Sequence, residues 1–169
     1  CGKRDYAILL LLVTYGLRGR EVAALTLDDI DWRRERLAIP ERKAGHSTAF
    51  PLSGAVGQAI ADYLQHGRPG SADRRVFFRA MAPLQPIRAA AVSGCARRYL
   101  LRAGIEVPRP GSHTLRHSAI QRLVDAGFSL KTIGDFAGHR SAASTEIYAK
   151  VAVESLREVA LGDGEEVLW

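Results

Sequence analysis

The chain has 169 residues, 47% of them apolar and 25% charged, and 24 Lys plus Arg against 18 Asp plus Glu give a formal charge of +6. That composition supplies a real core and excludes wholesale disorder, and two cysteines, Cys1 and Cys95, exclude a disulfide scaffold. The longest apolar run, Ala7 to Val13, falls far short of the roughly 20 residues that cross a bilayer. One domain with a short appendage is expected, in an intracellular, reducing compartment with no membrane contact. A start at Cys1, with Met81 as the single methionine, points to a processed product or, more strongly, to a piece of a longer protein.

In chain order, Arg4 to Tyr15 is apolar almost all round and is stopped by Gly16, which predicts a buried helix. A short helix after Gly19 carries Glu21, Val22 and Leu25. Between Asp31 and Leu52 the pattern alternates, with Leu37 and Ile39, then Phe50 and Leu52, flanking the turn-like Ala44 to Ser47. This predicts a small antiparallel hairpin or three-stranded sheet. Ser53 is expected to cap a helix with a stripe of Val56, Ile60, Tyr63 and Leu64. His66 to Arg75 reads as the least ordered loop of the interior. Pro86 suits the first position of a helix bearing Val92, Cys95 and Tyr99 and ending near Gly104. Ser112 is expected to cap a helix with Leu115, Ile120, Leu123 and Val124, closed by Gly127. Ser129 opens another with Leu130, Ile133 and Phe136, closed by Gly138. A last pair of short helices holds Ile147 and Tyr148, then Leu156 and Val159.

The positive charge is concentrated. Residues 66–122 carry eleven arginines against Asp73 and Glu106, a local +9, whereas residues 151–169 come to −4. Arginine supplies all of that excess, and its planar fork of donors matches phosphate oxygens, which points to a nucleic-acid backbone. A solvated basic face is the bland alternative.

Four constellations could carry chemistry. In Ser112-His113-Thr114-Leu115-Arg116-His117, His113 and Arg116 share one face of a first helical turn, where backbone N–H groups favour an anion. His113 and His117 also have the spacing of a helical metal pair. The glutamate of a catalytic metal motif is missing, however, and Arg116 repels a cation, so His117 is expected to be a buried supporting residue. Gly138-His139-Arg140 with Tyr148 is a second cluster. Arg18, in the tight link Gly16 to Glu21, is a third, with Glu21 placed to orient its guanidinium; the plain reading is a surface salt bridge. Lys43 at the hairpin tip is the fourth.

Jointly, Arg18, Lys43, His113, Arg116, His139 and Tyr148 resemble the catalytic signature of the tyrosine recombinases, also called the phage integrase family, from about Arg4 to Val151. The Gly16-Leu17-Arg18 and Glu21 motif, the Lys43 hairpin, the His113-Thr-Leu-Arg116-His117 box, and the Ala137-Gly138-His139 and Glu146-Ile147-Tyr148 segments each resemble their counterpart. Arg20, where the family commonly has a small residue, and Ser118-Ala119-Ile120 depart from it without touching a catalytic position. The resemblance implies a mainly α fold with a small antiparallel sheet (α+β): a catalytic domain over residues 1–151, a C-terminal tail helix over 152–169, and a separate N-terminal DNA-clamping domain outside this chain.

It also implies cleavage and rejoining of double-stranded DNA through a 3′-phosphotyrosyl link, with no metal or nucleotide cofactor. Tyr148 would be the nucleophile and His113 its base. Arg18, Arg116 and His139 would be donors to the phosphorane, and Lys43 the proton source for the leaving 5′ oxygen. The acidic tail would assemble a tetramer on DNA or fold back on its own domain, and the location would be cytoplasmic, at the nucleoid if bacterial. A type IB topoisomerase-like relaxase and a catalytically silent DNA-binding module remain the rival readings.

Overall fold

A computed structural model describes residues 2–42 and 46–137. Lys43, His139, Tyr148, the closing helices and the acidic tail lie outside the described residues. Helix α1 spans Gly2–Tyr15 and buries Ala7, Ile8, Leu11, Leu12 and Tyr15, a stripe at helical spacing that packs against α2 (Gly19–Ala24), α3 (Gly54–His66), α4 (Ala89–Arg102) and α5 (Ser112–Asp125). Each fully buried Leu or Ile stabilises by roughly 1.5–3 kcal/mol, so α1 is the axis of the core. One face is exposed at Tyr6, so the helix is not buried all round.

Strands β1 (Ile30–Asp31), β2 (Arg36–Arg42) and β3 (His46–Pro51) form one antiparallel sheet in the order β1-β2-β3. Leu37 pairs with Phe50 and Ile39 with Thr48 before the register slips between Ile39 and Arg42. Pro40, which has no N–H for the ladder, lies in that interval. Leu37, Ile39 and Phe50 are buried, so this face of the sheet joins the helical core. Ser53 caps α3 as expected, its hydroxyl accepting from Val56 N at 3.3 Å, and Val56, Ile60 and Tyr63 are buried. Helix α6 (Leu130–Phe136) is opened by Ser129, whose hydroxyl accepts from Thr132 N.

Several local expectations are corrected. Pro86 is not helical: it bridges Phe78, and Ile87 N donates to Phe77 O, so this stretch threads Val76 to Phe78 through the core and α4 starts only at Ala89. Ser112 lies inside α5, whose cap is Gly111, and its N–H is taken by Ser93 Oγ of α4. His117 is exposed rather than buried, and Val124 is 43% exposed, because α5 buries only the side carrying Ala119 and Leu123. Arg68 is one of the side chains that hold the loop from His66 to Arg75, with Ser71, Asp73 and Arg74. Arg68 donates to the carbonyls of Asp73 and Arg75 and lies 4.8 Å over the Phe78 ring.

The arginine-rich segment is also more structural than its charge suggests. Arg68, Arg74, Arg98, Arg116 and Arg122 are committed to internal partners, whereas Arg75, Arg79, Arg88, Arg97, Arg102 and Arg109 are exposed.

Asp5 is 1% exposed. It accepts from Arg4 Nη2 and Arg98 Nη2, each at 2.7 Å, which ties the start of α1 to α4. Removing one partner of a buried ion cluster leaves uncompensated charge. Asp5→Ala should therefore cost about 3 kcal/mol, the lower end of the usual range because Arg98 is partly solvated. Urea unfolding measures it, and a loss below about 1 kcal/mol would show the cluster to be idle. Nearby Cys95 is buried, and desolvation pushes its thiol up to about 11, so it stays protonated and inert. Among the described residues no helix is long and apolar enough to cross a membrane.

Candidate active site

The site is built where α1 ends. Gly16 adopts φ 56°, which only glycine enters without strain, and it turns the chain sharply after Tyr15. Leu17 then anchors the link in the core with no exposed surface, leaving Arg18 as the residue before α2. Glu21 closes the turn from the other side: one carboxylate oxygen accepts from Arg18 N at 2.8 Å and the other from Arg18 Nη1 at 2.8 Å. Glu21 is buried and the Arg18 side chain is 18% exposed. This is no surface salt bridge; the carboxylate fixes the backbone and the guanidinium of one arginine together.

Helix α5 packs against this link, with Ser112 near Gly19 and Ala119 near Gly16. A Cβ on Gly19 would stand 3.2 Å from Ser112 Oγ and 3.3 Å from Ala89 O, so the backbone there must be bare. That close approach brings Arg18 beside the first turn of α5, where His113 is exposed and Arg116 lies three residues on, on the same face. Arg116 reaches inward. Its Nη1 donates to Gly16 O, and its Nη2 donates to Ala137 O at 2.7 Å. One guanidinium thus joins the end of α1 to the end of α6, two residues before His139.

Tyr15 lies close by but is unsuited to nucleophilic work. Its hydroxyl donates to Pro51 O at 2.8 Å and accepts from Ser53 N at 2.9 Å, and burial raises its pKa against the opposing pull of the Ser53 hydrogen bond.

Of the six residues singled out in the sequence, three are described: Arg116 is seated on Gly16 O beside the Arg18 link, and His113 is exposed in the first turn of the same helix as Arg116. Lys43, His139 and Tyr148 lie outside the described residues. Sequence reasoning missed the two carbonyls that hold Arg116. It also missed Ser93, because backbone acceptors and a lone helical serine leave no residue-type signal.

The profile of the phage integrase family matches residues 1–155 of the chain. The chain belongs to that family. Among curated family relatives, it is 44% identical over 161 residues to the putative integrase/recombinase y4rA of Sinorhizobium fredii, covering 95% of this chain and 39% of the relative. It is 43% identical to y4gC of the same organism, covering 95% of this chain and 83% of that protein. Among solved structures, the XerH site-specific recombinase, crystallised on its palindromic difH substrate as a post-cleavage complex, shares the fold. The TM-score is 0.70 at 20% identity over 94% of this chain and 45% of that one. The chain therefore spans less than half the length of y4rA and of XerH. The expected α+β architecture of the family's catalytic domain, mainly helical with a three-stranded antiparallel sheet, is the one observed.

Proposed function

We propose that this chain is the catalytic domain of a site-specific DNA recombinase or integrase that cuts and rejoins strands through a 3′-phosphotyrosyl intermediate. The observation that carries the proposal is the seating of Arg116 on Gly16 O, a contact across 100 residues that brings Arg116 to the Arg18 link. Two guanidiniums carried by one junction suit a phosphodiester, because each has donors to offer its nonbridging oxygens as the pentacoordinate phosphorane develops.

The remaining roles follow from the chemistry. Tyr148 Oη attacks phosphorus while the P–O5′ bond breaks. A phenol with an ordinary pKa of about 10 must lose its proton, and in this reading the imidazole of His113 takes it. Lys43 supplies the proton that the 5′ oxygen needs, and His139 adds a donor to the phosphorane. A 5′ hydroxyl from another strand then reverses the step and releases Tyr148. Bond energy is held in the protein–DNA ester, so the proposed reaction consumes neither metal nor nucleotide.

The partner is double-stranded DNA; a neighbour in fold, the Tn1549 transposon integrase, was solved in complex with transposon right end DNA. The exposed arginines contact its phosphates without reading sequence, which makes binding steeply salt-dependent. Self-association on DNA through the acidic tail, residues 152–169, belongs to the same proposal, as does a cytoplasmic, nucleoid-associated location if the source is bacterial. The test is a nicked suicide duplex whose cleaved 5′ fragment diffuses away. The chain should accumulate an adduct that survives SDS and forms equally in EDTA, and DNA binding without any adduct would sink the proposal.

A further inference from the structure

The two carbonyls that hold Arg116 come from distant segments, so their separation needs a cause. The residue preceding each is aromatic: Tyr15 before Gly16, and Phe136 before Ala137. Between those rings stands Phe50 of β3. Its centroid is 5.2 Å from Tyr15 at an interplanar angle of 36° and 5.5 Å from Phe136 at 73°. All three residues are at most 5% exposed. Tyr15 cannot slide to compensate, because its hydroxyl is pinned between Pro51 O and Ser53 N. On the far side, a Cβ at Gly16 would lie 3.7 Å from Phe136 Cε1 and 3.9 Å from Arg116 Cγ, so ring, loop and arginine stem are already in register.

We propose that Phe50 is a positioning residue for Arg116. It acts as the spacer between Tyr15 and Phe136 and so sets the distance between the Gly16 and Ala137 carbonyls that aim the guanidinium. This rests on the reading of Arg116 as a donor to the reacting phosphate. Packed aromatic rings do not compress, and a smaller side chain leaves room into which the flanking segments partly collapse. Donors to a developing oxyanion are effective only near 3 Å, and a misplacement of about 1 Å costs on the order of a hundredfold. Phe50 touches no reacting atom. Its effect passes through two backbone carbonyls and one guanidinium.

Two measurements test the proposal on the whole chain. In the first, covalent capture of the nicked duplex is followed under single-turnover conditions, over days where needed, for the parent chain, Phe50→Leu, Arg116→Ala and the double variant. Phe50→Leu should slow capture about 10- to 100-fold with DNA affinity nearly kept. In the Arg116→Ala background it should slow capture less than about twofold, because the residue it positions is gone. Equal slowing in both backgrounds would overturn the proposal, since a purely structural residue acts regardless of Arg116.

The second measurement needs no catalysis. The Nη1 and Nη2 proton–nitrogen signals of Arg116 should be resolved in the parent chain and merge in Phe50→Leu while the backbone amide spectrum is kept; signals that stay resolved and unshifted would overturn the proposal. If the parent chain forms no adduct, the reading of the reaction fails and this second measurement still decides the role of Phe50. Phe50→Met, closer in length, replaces Phe50→Leu if the latter does not fold.

Discussion

Arg116→Ala should slow formation of the covalent adduct by about 10²- to 10³-fold, the loss expected for one preorganised donor to a developing oxyanion, worth about 3 to 4 kcal/mol. The side chain is already locked before DNA arrives, since Nη1 holds Gly16 O and Nη2 holds Ala137 O. A locked donor needs no reorganisation during reaction, which is why its loss falls on the chemical step more than on binding. DNA affinity should fall by much less, because phosphate contacts along the duplex are shared among many cations. Arg116→Lys should recover little of the rate: an ammonium is a compact point charge and cannot span two carbonyls with a planar fork. A rate loss below tenfold for Arg116→Ala would remove Arg116 from the reaction. Single-turnover capture of the nicked duplex measures the rate, and filter binding or fluorescence anisotropy measures the affinity.

Tyr148→Phe should abolish the adduct altogether while leaving DNA binding near that of the parent chain. The substitution removes one oxygen, and with it the only atom proposed to bond phosphorus. The informative control is Tyr15→Phe. Tyr15 is also a tyrosine beside the Arg18 link, but its phenol is buried, bonded on both sides and shifted toward the protonated form. Its loss should cost about 1 to 2 kcal/mol of stability, from the Ser53 N–H and Pro51 carbonyl left unpaired, and the adduct should still form. An adduct in Tyr148→Phe, or its disappearance in a folded Tyr15→Phe chain, would contradict the assignment of the nucleophile.

Much of the architecture was legible because it depends on short-range rules. Gly16 after an apolar run predicts the end of α1, and it does take a left-handed φ there. Alternating Leu37, Ile39, Phe50 and Leu52 predict a hairpin, and Leu37 does pair with Phe50. Ser53 caps α3 through its hydroxyl. The failures came where a distant contact overrode a local preference. Pro86 is a good first helical residue, but the Phe77 and Phe78 backbone claims that stretch for the core. Ser112 is a good cap, but Ser93 of α4 already satisfies its N–H.

For the proposed site, the sequence offers residue types in order. What holds it was not legible. Arg18 and Glu21 are three residues apart, so their pairing can be read locally; the seating of Arg116 on Gly16 and Ala137 is a tertiary fact with backbone acceptors, invisible to any motif. Phe50 reads as an ordinary core position, and only the fold shows that its ring packs against both Tyr15 and Phe136, the residues preceding the two carbonyls that hold Arg116. Charge location was half legible. The +9 of residues 66–122 is real, but part of it is neutralised within the fold: Arg98 pairs with buried Asp5, and Arg74 pairs with Asp28 at the surface.

The central claim is that DNA becomes joined through its 3′ phosphate to one tyrosine. Mass spectrometry of the protease-digested adduct, formed on a nicked duplex with a labelled scissile phosphate, tests it most directly. A single modified peptide containing Tyr148 is expected, carrying a phosphate bonded to the 3′ end of the cleaved strand. Attachment at any other residue, or a link through the 5′ end, would contradict it.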